Sequence, residues 1–184
     1  MKEKKDLILD ASIKVFSEKG YTLATTLEIS KKAGVSEMTI FRHFQTKKNL
    51  FLSAIQKVIG DALTIDEQLD FNYALKEFIF LLLDEKLTMI SKHKLLIRML
   101  IRENLAHTVP EELAFTKMIY NQVIQKVSNY IKYHQLAIDP ISFAEMIVGL
   151  LLRYAIMEDS NQYHLMDSNE QKIYITNYLN ILNI

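Results

Sequence analysis

The stretch Thr25–Leu50, TTLEISKKAGVSEMTIFRHFQTKKNL, constrains the fold more than any other part of the chain. Thr25 offers a side-chain oxygen to a helix start, and Glu28 returns a bond to the N–H of Thr25, which makes a capping box. That helix runs to about Ala33 and stops at Gly34, a residue that tolerates the left-handed conformation closing many helices. Ser36 caps a second helix after a turn of only two or three residues. So short a connection forces the helices to cross steeply, which is helix-turn-helix geometry. Thr46 then caps a third helix, with Lys47 and Lys48 in its first turn. Cations are disfavoured at the positive end of a helix dipole. A phosphate bound there reverses the penalty, because helix N-termini and lysines both attract anions. The partner implied by this segment is double-stranded DNA.

Composition says what surrounds the segment. With 49% hydrophobic residues, only four Gly and two Pro, the chain is expected to be all-α. The absence of Cys excludes disulfides and thiolate metal sites and suits a reducing cytoplasm, the expected location. The N-terminus mixes Lys with Glu and Asp and shows no apolar run, so no signal peptide is expected. No stretch reaches the roughly 18 uninterrupted apolar residues of a membrane span, and no membrane partner is expected. The zero net charge conceals a division: residues 1–57 hold 11 Lys+Arg against 6 Asp+Glu, and the remainder 11 against 16. A basic module on an acidic body suits a nucleic-acid binder whose body stays clear of phosphates. Ordinary surface charge accounts for the asymmetry equally well.

Taken in order, Leu7, Ile8, Ala11, Val15 and Phe16 fall at helical spacing, predicting a first helix over 3–19 that Gly20 ends. Leu27, Ile29, Ala33 and Val35 are expected to face inward, with Phe44, Leu50 and Phe51 closing a small core. A connecting helix follows from Lys47 to about Leu63, and Gly60–Asp70 is the expected joint. The domains are accordingly placed at 1–58 and 59–184. In the second, helices are predicted over 71–91, 95–107, 110–135, 141–158 and from Ser168 onward. Asp139 and Pro140 supply a cap and a first-turn proline. Gly149 interrupts the middle of its helix, where it costs about 1 kcal/mol against Ala unless another helix crosses closely.

N-terminal residues of the second helix in such a motif usually meet base edges, so Glu37, Met38, Thr39 and Arg42 are the groove-facing candidates. Arg42 has the geometry to donate two bonds to guanine. Thr39 offers a methyl to thymine or a hydroxyl to phosphate. His43 has no Cys or second His nearby, which argues against a metal; its alternative role is to cap the small core. No Ser-His-Asp order, phosphate-cradling glycine loop or HExxH motif occurs, and the five histidines are dispersed. Neither an enzyme nor a cofactor is expected.

The stretch ATTLEISKKAGVSEMTIFRHFQTKKNLF resembles the DNA-binding signature of the tetracycline-repressor (TetR) family of bacterial regulators, and the likeness covers roughly residues 7–58. It departs from the family pattern at Ser30, where Ala is usual, at Met38, where Gly is usual, and at Phe41, where Tyr is usual. Phe41 lacks the hydroxyl commonly presented to a phosphate, and Met38 stands where it can change which bases are read. The resemblance implies phosphate contacts by Phe41, His43 and Lys47, with Thr26 added to the DNA-binding set. It implies a helical reader domain followed by a helical effector-binding and dimerisation domain. On that basis Phe78, Leu82, Met89, Met99, Phe115, Met118 and Gln122 are candidates to line a cavity for an apolar or aromatic small-molecule effector. The last two helices are the implied homodimer interface, with Ile147, Gly149, Leu151, Tyr154, Tyr174 and Tyr178 as its candidates. The alternative is that both helices complete the subunit's own core. The expected function is a ligand-responsive transcriptional repressor that binds a palindromic operator as a dimer. The rival reading is a helical adaptor that binds only protein.

Overall fold

A computed structural model describes residues 2–64, 71–108, 115–157 and 162–181. The described residues form nine α-helices, one 3-10 turn and no strand. The helices are α1 (Lys2–Leu23), α2 (Thr26–Ala33), α3 (Glu37–Phe44), α4 (Lys47–Thr64), α5 (Leu75–Lys92), α6 (Lys94–Leu105), α7 (Phe115–Tyr133), α8 (Pro140–Ile156) and α9 (Ser168–Ile181). The 3-10 turn, Tyr163–Leu165, lies between α8 and α9, where the sequence carries no signal for a regular element. At the expected joint, α4 continues to Thr64 and residues 65–70 lie outside the described residues. The first part of the helix predicted over 110–135 does too, up to residue 114. Backbone contacts divide the chain into two compact units, residues 1–61 with 95–116 and residues 62–94 with 117–184. The α6 region thus clusters with the N-terminal module rather than with the rest of the body.

In the first unit α1 packs on α2, and Ile8, Ala11, Val15 and Phe16 are buried together with Ile29, Ile40, Phe44, Leu50 and Phe51. The Phe16 and Phe51 rings meet edge-on at 4.8 Å. Such aromatic pairs contribute about 0.5–1.5 kcal/mol beyond their buried area. Leu7 and Leu27 are half-exposed instead of buried. Serines occupy positions in the buried stripe: Ser12 donates to its own helix at Ile8 O (2.6 Å) and Ser30 to Leu27 O (2.8 Å). A small side chain whose hydroxyl is satisfied locally can be buried without a cost in hydrogen bonds. The break expected at Gly20 is present as a kink, with φ 77° and ψ 174°, although helix resumes to Leu23. A Cβ on Gly20 would overlap Oε1 of Glu103, so α6 rests its buried carboxylate directly on the kink.

The second unit is organised around α5, which packs on α8, α9 and the 3-10 turn. Its buried residues run from Phe78 to Ser91 and include Lys86, whose ammonium lies 2.9 Å from the Glu85 carboxylate. Tyr130 of α7 stacks on Phe78 at 4.0 Å and donates its hydroxyl to Tyr73 O at 2.6 Å. The 3-10 turn is strapped down from both sides. Tyr163 donates to Asp84 (2.5 Å) and its N–H to the Tyr154 hydroxyl (3.0 Å), and the His164 N–H donates to Ser91 Oγ (3.2 Å). Asp139 caps α8 through the Ser142 N–H at 2.7 Å with Pro140 in the first turn, the arrangement its sequence implies.

Candidate nucleic-acid interface

Local bonds build the reader. Thr25 Oγ1 accepts from the Glu28 N–H at 3.2 Å, and Glu28 Oε2 accepts from the Thr25 N–H at 3.3 Å, completing the capping box. Lys19 also donates to Glu28, and this bond, more than the cap itself, holds the carboxyl below its ordinary pKa. Gly34 closes α2 at φ 67°, ψ 32°, the left-handed conformation its place required. Ser36 accepts from the Thr39 N–H at 3.2 Å and starts α3. Gln45 ends α3 at φ 64°, a conformation that nothing in its identity announced. Thr46 Oγ1 then receives the Asn49 N–H at 3.0 Å and starts α4.

One side of α3, Ile40 and Phe44, is buried; the other presents Met38, Phe41 and Arg42. Met38 is 81% exposed, so the residue replacing the usual glycine stands fully outward. Glu37 lies half-buried at the margin of this arc and accepts the hydroxyl proton of Thr26, the first residue of α2. Thr39 is half-buried and its hydroxyl lies 2.8 Å from Ser36 Oγ, so it belongs to the cap rather than to the outward arc. His43 is half-buried, its ring 6.2 Å from that of Phe44.

Lys47 differs from expectation. Its ammonium donates to Thr22 O at 3.1 Å and sits over the Tyr21 ring at 4.8 Å. Partial burial pushes its pKa below the ordinary lysine value. The cation that the α4 dipole disfavours is thus repaid by a carbonyl and an aromatic face at the end of α1.

In the second unit Phe78, Leu82 and Met89 are buried on α5 and Gln122 is half-buried on α7. Met99 is buried on α6, within the first unit, and the side chains of Phe115 and Met118 lie outside the described residues. An open cleft of about 540 Å³ lies between the 3-10 turn and α9, lined by Gln162, Leu165, Met166, Glu170, Ile173, Tyr174 and Asn177. None of the expected effector-lining residues borders it.

The dimer candidates divide between buried and exposed positions. Ile147, Leu151 and Tyr154 are buried in the second unit's own core, on the face of α8 that meets α5. Tyr174 and Tyr178 are half-buried, their rings 5.5 Å apart. Gly149 is exposed, and a Cβ there would meet nothing within 4 Å. The apolar surface of α8 is its opposite face, where Ile141, Met146, Leu152 and Ile156 are each 41–50% exposed. On α9, Ile173 and Ile181 are also exposed. A helix apolar nearly all round announces two apolar faces, but periodicity does not say which one the chain itself buries.

Two capped helices joined by a three-residue turn, the second helix outward with an arginine and an exposed methionine, define a helix-turn-helix DNA reader. Residues 8–54 match the family profile described as bacterial regulatory proteins, tetR family. The uncharacterised HTH-type transcriptional regulator YerO of Bacillus subtilis is 40% identical over 60 residues, 33% of this chain and 21% of that protein. YvkB, a second uncharacterised HTH-type regulator of the same organism, is 43% identical over 61 residues, 33% of this chain and 32% of its own length. The match therefore spans less than a third of these relatives. The fold extends further: a crystal structure of a tetR-family bacterial regulatory protein from Rhodococcus RHA1 superposes with a TM-score of 0.73 at 20% identity, covering 96% of this chain and 95% of that one. Residues 8–54 thus carry the DNA-binding domain of the tetR family of bacterial regulators, and the whole chain shares the fold of a solved member of that family. Among the described residues no three His, Cys, Asp or Glu side chains converge as metal ligands, and no helix is long and apolar enough to cross a membrane.

Proposed function

We propose that the protein is a ligand-responsive transcriptional repressor that binds a palindromic operator as a homodimer. The observation that carries this reading is the outward arc of α3, with Met38, Phe41 and Arg42 presented by a rigidly capped motif. One such helix reads only a few base pairs, too little for selectivity in a genome, so two readers are needed. A symmetric pair places its recognition helices about 34–36 Å apart, or a multiple of that, on one face of the duplex. The exposed stripe of Ile141, Met146, Leu152 and Ile156 supplies an apolar face for a second copy, and at Gly149 the α8 backbone is open to close approach.

A response to a small apolar effector is supported by the second unit. It is larger than a reader needs, its α5 is buried along most of its length, and Ser128 Oγ of α7 is buried with no hydrogen-bond partner among the described residues. An unsatisfied buried hydroxyl costs about 1–3 kcal/mol, a cost that a hydrogen-bonding partner brought to α7 would relieve.

The test is a shift assay on genomic fragments with wild type, Arg42→Ala and Leu152→Glu. Wild type should retain a palindromic fragment selectively. Arg42→Ala should lose about 1–3 kcal/mol of discrimination per half-site. Leu152→Glu should sediment as a monomer and lose selective binding. Retention without sequence preference refutes the regulator reading and favours the protein-binding adaptor.

A further inference from the structure

Glu37 is an unusual group to find beside a DNA-facing arc. A carboxylate near phosphates is repelled unless it meets a hydrogen-bond donor, so its presence there needs a specific counterpart. The structure holds it deliberately. Thr26, first residue of α2, donates its hydroxyl to Oε1 of Glu37, first residue of α3. This contact ties the starts of the two helices together across 11 residues of chain. The tether consumes one carboxylate oxygen and fixes the side chain's direction. Oε2 has no hydrogen-bond partner among the described residues.

The chemistry of a half-tethered carboxylate is narrow. Ionised, it accepts hydrogen bonds and donates none. In the major groove only cytosine N4 and adenine N6 present donors, whereas guanine and thymine present acceptors. Adenine carries its N7 acceptor next to N6, which sets a lone pair against a carboxylate. Cytosine has only a C–H beside its amine. The first residues of the second helix in this motif are those that meet base edges. We propose that Glu37, buttressed by Thr26, reads a cytosine in the operator through its free carboxylate oxygen, with Thr26 acting as a positioning residue. The inference rests on the DNA-reader function proposed above and adds the base that one side chain specifies. It also gives Thr26 a positioning role rather than a direct contact with DNA, because its hydroxyl is committed to Glu37.

Selection of duplexes from a randomised library by the full-length protein tests it. Wild type should show a cytosine at one symmetry-related position. Glu37→Gln should move that position toward adenine, on the order of tenfold, because glutamine pairs with adenine N6 and N7. Glu37→Ala should leave the position without preference and the others unchanged. Thr26→Val should keep cytosine as the favoured base while reducing its margin, a change that a loss of general folding or phosphate binding would not confine to one position. If wild type selects a site but its base preferences are the same in Glu37→Gln and Glu37→Ala, the inference is overturned while the reader function stands. If wild type selects no sequence, both fall together.

Discussion

Replacing Gly20 by Ala isolates the contact between the kink of α1 and the carboxylate of α6. Two costs arise. At φ 77° and ψ 174° the residue occupies a region that is essentially glycine's alone, and a side chain there costs about 1–3 kcal/mol. The new Cβ would also overlap Glu103 Oε1, whose carboxyl lies 3.2 Å from it. Glu103 is buried and its other oxygen accepts the Thr108 hydroxyl at 2.5 Å, so moving it disturbs a satisfied buried charge. Losing a partner for such a group costs about 1–3 kcal/mol. Reduced freedom of the unfolded chain returns about 0.4–1 kcal/mol. The expected net loss is about 2–4 kcal/mol. Urea unfolding followed by circular dichroism measures it, and hydrogen exchange should place the lost protection in α1 and α6. The double variant Gly20→Ala/Glu103→Ala should recover the overlap share but not the backbone strain. A Gly20→Ala protein within about 0.5 kcal/mol of wild type, the size of an ordinary surface change, refutes the reasoning.

Lys47→Ala, which removes the bond to Thr22 O and the cation–π contact with Tyr21, should destabilise the first unit by about 1–2 kcal/mol in the same unfolding assay. Because the ammonium is held internally, the salt dependence of DNA binding should flatten by less than the roughly one unit of slope expected of a dedicated phosphate contact. In the second unit His93 has its pKa lowered, first by burial and then by Lys92 and His164. A histidine whose folded pKa lies below its unfolded value contributes stability above about pH 6.5 that is lost as pH falls toward the folded value. Unfolding between about pH 7.5 and about pH 5 should therefore show falling stability, and His93→Gln should flatten that slope.

The reader was legible because its signals are local. Thr25 with Glu28, Gly34, Ser36 and Thr46 act over three or four residues, and a helix cap forms between groups the chain already holds close together. The outward placement of Met38 and Arg42 and the burial of Ile40 and Phe44 follow from the same periodicity. What the sequence could not settle were the choices made by neighbours distant in the chain. Lys47 faces a carbonyl 25 residues earlier instead of pointing outward, and Glu37 is claimed by a threonine on another helix. At Gly20 the space a side chain would need is taken by a carboxylate on α6. For α8 the sequence determined two apolar faces, and only packing on α5 decided that Ile147, Leu151 and Tyr154 go inside while Ile141, Met146, Leu152 and Ile156 stay out. Hydrophobic burial is non-directional, so periodicity marks which residues are apolar while the shape of the neighbouring helix selects the face that is covered.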